Sequence, residues 1–113
     1  ILMADMKDET QEIMKVLVLN TKNEIIRIAT VGIGTANVNL IEVRDVFKEP
    51  IRSNATKIIL AHNHPSGDPS PSNSDVTFSV KMREFGAVMG IEVLDHVIIG
   101  NGKFSSLKRM KKF

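Results

Sequence analysis

The chain has 113 residues, of which 42% are hydrophobic and 25% charged; this is enough for one compact core and leaves no room for two. It has no cysteine, so disulfides and thiolate metal sites are excluded, and any metal must be held by His, Asp, Glu or main-chain oxygen. A net charge of +2, no Trp, no Tyr and five Phe give neither a strong basic field nor the aromatic platform on which single-strand nucleic-acid binders stack bases.

The opening stretch, ILMADMKDET, carries acids where a secretory signal carries bases. No apolar run in the chain approaches the roughly 20 residues needed to cross a bilayer. A cytoplasmic protein with no membrane segment is expected. The first residue, Ile1, is not an initiator, which suggests a segment of a longer protein.

The run Met14–Leu19 is apolar and rich in β-branched residues; the polar stretch Asn20–Asn23 follows, and then a second β-like run, Glu24–Gly32. This pattern predicts a β-hairpin. Asn37–Ile41 reads as another extended piece. In the stretch from Val43 to Ser53, Val43, Val46, Phe47 and Ile51 follow helical spacing, and Pro50 must kink or shorten the last turns because it removes an amide donor and clashes with the preceding turn. Lys57–Ala61 (KIILA) predicts a buried strand that ends directly at His62.

From His62 to Asp75 the sequence HNHPSGDPSPSNSD holds three of the four prolines and predicts a loop between a buried strand and a helix, a common setting for function. Val76–Met89 predicts an amphipathic helix with Phe78, Met82, Phe85 and Met89 toward the core, stopped by Gly90. Ile91–Gly100 predicts a strand, Gly100–Gly102 a turn and Ser105–Phe113 a short terminal helix. The predicted order is β-β-β-α-β-α-β-α, an α/β or α+β fold with a mixed sheet flanked by helices.

His62 and His64 are one residue apart. At a strand end their imidazoles fall on the same side with Cα atoms about 6 to 7 Å apart, so both reach one ion. Asp75 stands where the loop turns into the helix and offers a third ligand. Two imidazoles and a carboxylate suit zinc, and three protein ligands leave a fourth position open, as in catalytic rather than structural zinc sites. Each residue also has a plainer role. A lone histidine is more often a satisfied polar residue than a ligand, and Ser72–Asp75 spells the SxxD of a helix capping box. The two roles of Asp75 are compatible, since one oxygen can coordinate while the other accepts an amide. The adjacent letters His62, Asn63 and His64 do not make an HNH nuclease, whose residues are dispersed over a motif. No GxGxxG or GxxxxGK[ST] phosphate cradle occurs.

The pattern HxH-x7-SxxD, formed by His62, His64, Ser72 and Asp75, resembles the JAMM signature of the JAB/MPN metalloprotease-like superfamily. The stretch His62–Asp75, with IILA before it and DHVIIG after it, is closest to the RadC family, and the resemblance runs from Glu12 onward. It implies the JAB/MPN, cytidine-deaminase-like architecture over a single domain spanning residues 1–113, the C-terminal domain of a longer protein. It implies zinc held by His62, His64 and Asp75. It also implies a catalytic glutamate just before the first core strand, here Glu12, to take a proton from water, and Ser72 as hydrogen-bond donor to the developing oxyanion. From the residues alone, Glu9, Glu24 and Glu42 compete with Glu12, and Ser72 is equally a helix N-cap. Asp95 and His96 recur in RadC-like tails, where a supporting or strand-packing role fits them. Asn63, Pro65, Ser66 and Gly67 are expected to shape the loop.

Three functions compete. The first is a zinc hydrolase of peptide or isopeptide bonds, with a protein or peptide substrate. The second is a DNA-repair-associated accessory module, supported in the residues only by the basic cluster Lys108, Arg109, Lys111 and Lys112. The third is a scaffold that keeps the JAB/MPN fold without catalysis; the complete set of candidate ligands argues against it.

Overall fold

The first strand, β1 (Ile13–Leu19), buries Met14, Val16 and Val18 on one face and Leu17 on the other, as alternation on a doubly covered strand requires, in a computed structural model that describes residues 11–34 and 38–113. The hairpin to β2 (Ile25–Ile33) turns on local chemistry. Asn20 Oδ1 accepts from the amides of Lys22 and Glu24 at 2.9 and 3.0 Å, and Asn23 takes the left-handed conformation at φ 63° that asparagine tolerates better than most residues.

A 3-10 turn at Val38–Leu40 and helix α1 (Val43–Arg52) lead to β3 (Lys57–Asn63). Helix α2 (Asn73–Met89) crosses over to β4 (Glu92–Gly100), and β5 (Lys103–Ser106) closes the chain's last hairpin. The mixed five-stranded sheet runs in the order β2-β1-β3-β4-β5. Strand β3 sits at its centre, antiparallel to β1 and parallel to β4. The main core lies between one sheet face and the helices and includes Val16, Phe47, Leu60, Phe78 and Met82. A smaller cluster of Leu17, Ala61 and Ile99 occupies the opposite face. The fold is α+β, as expected, and among the described residues no helix is long and apolar enough to cross a membrane.

Three local expectations are corrected. Asn37–Ile41 is not extended: Asn37 lies outside the described residues, and the rest is a 3-10 turn in which the Ile41 amide bonds the Val38 carbonyl at 3.0 Å. Val38 and Ile41 are buried together three residues apart, the spacing of such a turn rather than of a strand. Ser105–Phe113 is not a helix. Ser105 and Ser106 pair with Ile98 and Val97 in β5, which extends the backbone where a helix would start, and Asp95 accepts from the Ser106 hydroxyl and the Lys108 amide, tying the following turns to β4. Phe85 and Met89 are 44% and 39% exposed, because the buried stripe of α2 runs through Asp75, Phe78, Ser79, Met82 and Gly86. The stripe drifts to a glycine because a Cβ there would stand 2.3 Å from the Ile91 carbonyl oxygen.

Helix α1 ends at Arg52, within one turn of the buried Pro50, as a proline near a helix end dictates. Helix α2 starts earlier than its apolar period indicated, at Asn73, and stops at Gly90 in the left-handed conformation.

Candidate metal centre

Strand β3 delivers His62 to the sheet face that carries the helices, and the His64 amide then bonds the Ile99 carbonyl at 2.8 Å, holding the chain against β4 past the strand end. The following loop lies directly on β4. A Cβ on Gly100 would stand 2.7 Å from the carbonyl carbon and oxygen of Gly67, so only glycine permits that approach. This contact and the bond from the Gly67 amide to the His64 carbonyl, 2.9 Å, fold the loop back over the centre. His64 Nδ1 faces the Asp68 carbonyl at 2.9 Å. A carbonyl only accepts, so Nδ1 carries a hydrogen and Nε2 is the atom turned inward, 3.1 Å from Asp75 Oδ2.

A buried chain of hydrogen bonds sets the orientation of His62 in the same way. Ser79 Oγ donates to the Asp75 carbonyl at 2.8 Å and is in contact with His96 Nδ1; its oxygen is therefore the acceptor for Nδ1–H. His96 is wholly buried, and burial, reinforced by the neighbouring His62, pushes its pKa down to about 3. Its neutral ring offers a bare Nε2, which lies 2.8 Å from His62 Nδ1 and accepts Nδ1–H from it. With Nδ1 of His62 so engaged, Nε2 is the atom turned toward Asp75. That atom is buried without a hydrogen-bond partner, 3.2 Å from Asp75 Oδ1. A ring nitrogen and a carboxylate oxygen face each other there, and a cation between them satisfies both. The donor set of two imidazoles and carboxylate oxygen fits zinc.

Both roles read for Asp75 coexist. Its amide donates to Ser72 Oγ at 3.1 Å, and its Oδ2 accepts from the Ser72 amide at 2.8 Å, completing the capping box, while Oδ1 turns to His62. Burial acts to raise the Asp75 pKa, but the facing His62 and His64 rings and the Ser72 amide outweigh it and hold the carboxyl far below the ordinary carboxylate range. The bond to Asp75 in turn raises His64 above the ordinary histidine value, against the opposing effect of partial burial. Ser72 is exposed at the helix start, and since its oxygen accepts the cap bond, its O–H remains free to donate outward.

Glu12, on the leader of β1, joins the centre beside His62 and His64. One ligand atom from each of Glu12, His62 and His64 lies within 4.8 Å of the others. A cavity of about 10 Å³ between Glu12 and His62, walled by Ile13, Met14, Gly32, Val38 and Ile41, matches the space one water occupies. The rival glutamates are elsewhere: Glu24 bonds Asn20 in the hairpin turn, and Glu42 stands at the start of α1 beside Arg44. Glu9 lies outside the described residues.

Two contributors were not legible as such. Ser79 has no motif of its own, and its only signal is that it lies one helical turn after Asp75. Asn63, expected to shape the loop, is instead the last residue of β3 and is buried.

Comparison with known proteins identifies the family. Residues 1–112 match the family model described as "RadC-like JAB domain". Over 108 residues the chain is 49% identical to a UPF0758 protein of Clostridium kluyveri and 49% identical to one of Moorella thermoacetica. It is 45% identical to a UPF0758 protein of Clostridium beijerinckii. Each match covers 96% of this chain and 47% of the relative, so the chain spans about half the length of these relatives. The chain belongs to the family of RadC-like JAB domains.

Proposed function

We propose that this domain is a zinc-dependent hydrolase of peptide or isopeptide bonds, with His62, His64 and Asp75 as the zinc ligands. The observation that carries the reading is the buried, partnerless Nε2 of His62 set against the Asp75 carboxylate, with Glu12 beside it. Zinc, when bound, supplies acidity to a water and polarises a carbonyl. The rest of the chemistry falls to the chain. The Glu12 carboxylate takes a proton from water as the water oxygen bonds to the carbonyl carbon. The Ser72 O–H donates to the carbonyl oxygen as negative charge gathers there. Glu12 then returns its proton to the departing nitrogen as the C–N bond breaks, leaving a carboxylate and an amine. Burial of His62 and Asp75 keeps solvent from their facing atoms, where electrostatic interactions are strongest.

Metal analysis and turnover together test the reading. About one zinc per chain is expected, lost on replacing His62, His64 or Asp75 with alanine, together with hydrolysis of members of a peptide and isopeptide panel. A protein that takes up no zinc in direct titration, or whose alanine variants bind it unchanged, refutes the ligand set. A zinc-loaded protein that cleaves no member of the panel favours a metal-binding scaffold.

A further inference from the structure

We infer that Asn63 is the positioning residue that holds Glu12 at the metal centre. The inference rests on the proposed role of Glu12 in proton transfer and concerns how the fold brings that residue there. Glu12 precedes β1, so no ladder bond of that strand fixes it. The pairing between β1 and β3 stops at Met14 and His62. At the next step, where the backbone ladder has ended, the Asn63 side chain takes over. Its Oδ1 accepts from the Ile13 amide at 2.6 Å, and its Nδ2 donates to the Gln11 carbonyl at 2.9 Å. One carboxamide thus grips the residues on both sides of Glu12, while the Gly34 amide holds the Glu12 carbonyl at 2.7 Å.

The residue type is the one this task requires. A carboxamide presents a donor and an acceptor in one short planar group; a carboxylate has no donor, a hydroxyl is a single atom, and alanine has neither. Asn63 is 2% exposed, so its two bonds are shielded from competing water. Its position matters as well. Alternation along the strand end sends His62 and His64 toward the centre and Asn63 toward the leader of β1. The two histidine ligands and the base are therefore tied to the same three residues, and their separation is set by one short, stiff piece of backbone.

Cobalt(II) as a probe metal tests this without a substrate, because its visible spectrum reports the groups around the ion. Wild type, Glu12→Gln, Asn63→Ala and the double variant are loaded with cobalt. Asn63→Ala is expected to bind one cobalt per chain, since all three proposed ligands remain. Its spectrum and the pH dependence of that spectrum should move to those of Glu12→Gln, and the double variant should show nothing beyond Glu12→Gln alone. Asn63→Asp, which keeps the acceptor for Ile13 and loses the donor to Gln11, should fall between wild type and Asn63→Ala; it carries the test if the alanine variant does not fold. A wild-type spectrum in Asn63→Ala or Asn63→Asp, with Glu12→Gln clearly shifted, overturns the positioning role. A wild-type spectrum in Glu12→Gln itself overturns the placement of Glu12, and the role of Asn63 with it.

Discussion

Acidification of the metal-free protein should destabilise it through His96, before the carboxylates contribute. The folded protein holds this ring neutral down to about pH 3, against an ordinary histidine value of 6.5. The unfolded chain therefore binds a proton that the folded chain refuses, and stability present above pH 6.5 is lost as pH falls toward 3, at about 1.4 kcal/mol per pH unit. Two neighbours do not mask the effect. His64 is shifted upward, so its contribution is fully present below its unfolded value and is flat on the acid side. Asp75 is shifted downward from 3.8, so its contribution is lost only as pH drops below that value. Between pH 6.5 and 4 the loss from His96 alone is roughly 3 kcal/mol. Urea slopes for small proteins are about 1–3 kcal/mol per molar, so the midpoint should fall by about 1 M or more. The assay is urea unfolding in the presence of chelator at several pH values across this window, for wild type and His96→Gln. The variant should be less stable at neutral pH and should lack the wild-type slope. A wild type whose stability is level across the window, or a variant with an equal slope, refutes the neutral, tautomer-fixing role of His96.

Glu12→Gln should keep its zinc and lose turnover by roughly 10²- to 10⁴-fold, the usual worth of general acid–base assistance; a defect of only a few-fold on a cleaved substrate removes Glu12 from the proton transfer. Gly86→Ala should destabilise the fold by about 3 kcal/mol in urea unfolding, even though alanine is the better helix former by about 1 kcal/mol, because the new Cβ meets the Ile91 carbonyl at 2.3 Å. Equal or greater stability in that variant refutes the close approach. DNA binding by this chain should be weak and should fall steeply with salt, since its cationic footprint is the exposed cluster Lys108, Arg109, Lys111 and Lys112. Tight, salt-tolerant binding in titrations at two ionic strengths would promote the DNA-module function over hydrolysis.

The parts legible in the sequence are those whose cause is local. The alternation of Met14, Val16 and Val18 marks β1, and Ser72 with Asp75 and Gly90 marks the two ends of α2. The HxH spacing sets two imidazoles on one side of a strand end. The errors arose where a distant partner decides. Asn37–Ile41 resembles a strand until the core takes Val38 and Ile41 together. The tail of the chain has helix-forming residues, but its start pairs with β4, and Asp95, more than ten residues upstream, holds the Ser106 hydroxyl and the Lys108 amide. In α2, the apolar letters Phe85 and Met89 imitate a core stripe, whereas Gly86 carries the contact. The same limit applies at the centre: the three candidate ligands stand within one short stretch of sequence, but the chain from His62 through His96 and Ser79 exists only once β4 lies beside β3. The grip of Asn63 on the residues around Glu12 likewise depends on a sequence separation of 50 residues.

That separation divides the centre into two inheritances. His62, His64 and Asp75 travel together on one strand, loop and helix start, and a gene that keeps this stretch keeps the means to hold an ion. Glu12 arrives from upstream through a contact between β1 and β3, and it can be lost by one substitution or by a shifted leader while the ligands stay intact. If the proposed roles hold, the capacity to bind metal is the more durable trait of such a domain and hydrolysis the more fragile one, since a single substitution at Glu12 removes the base and leaves the ligand stretch untouched.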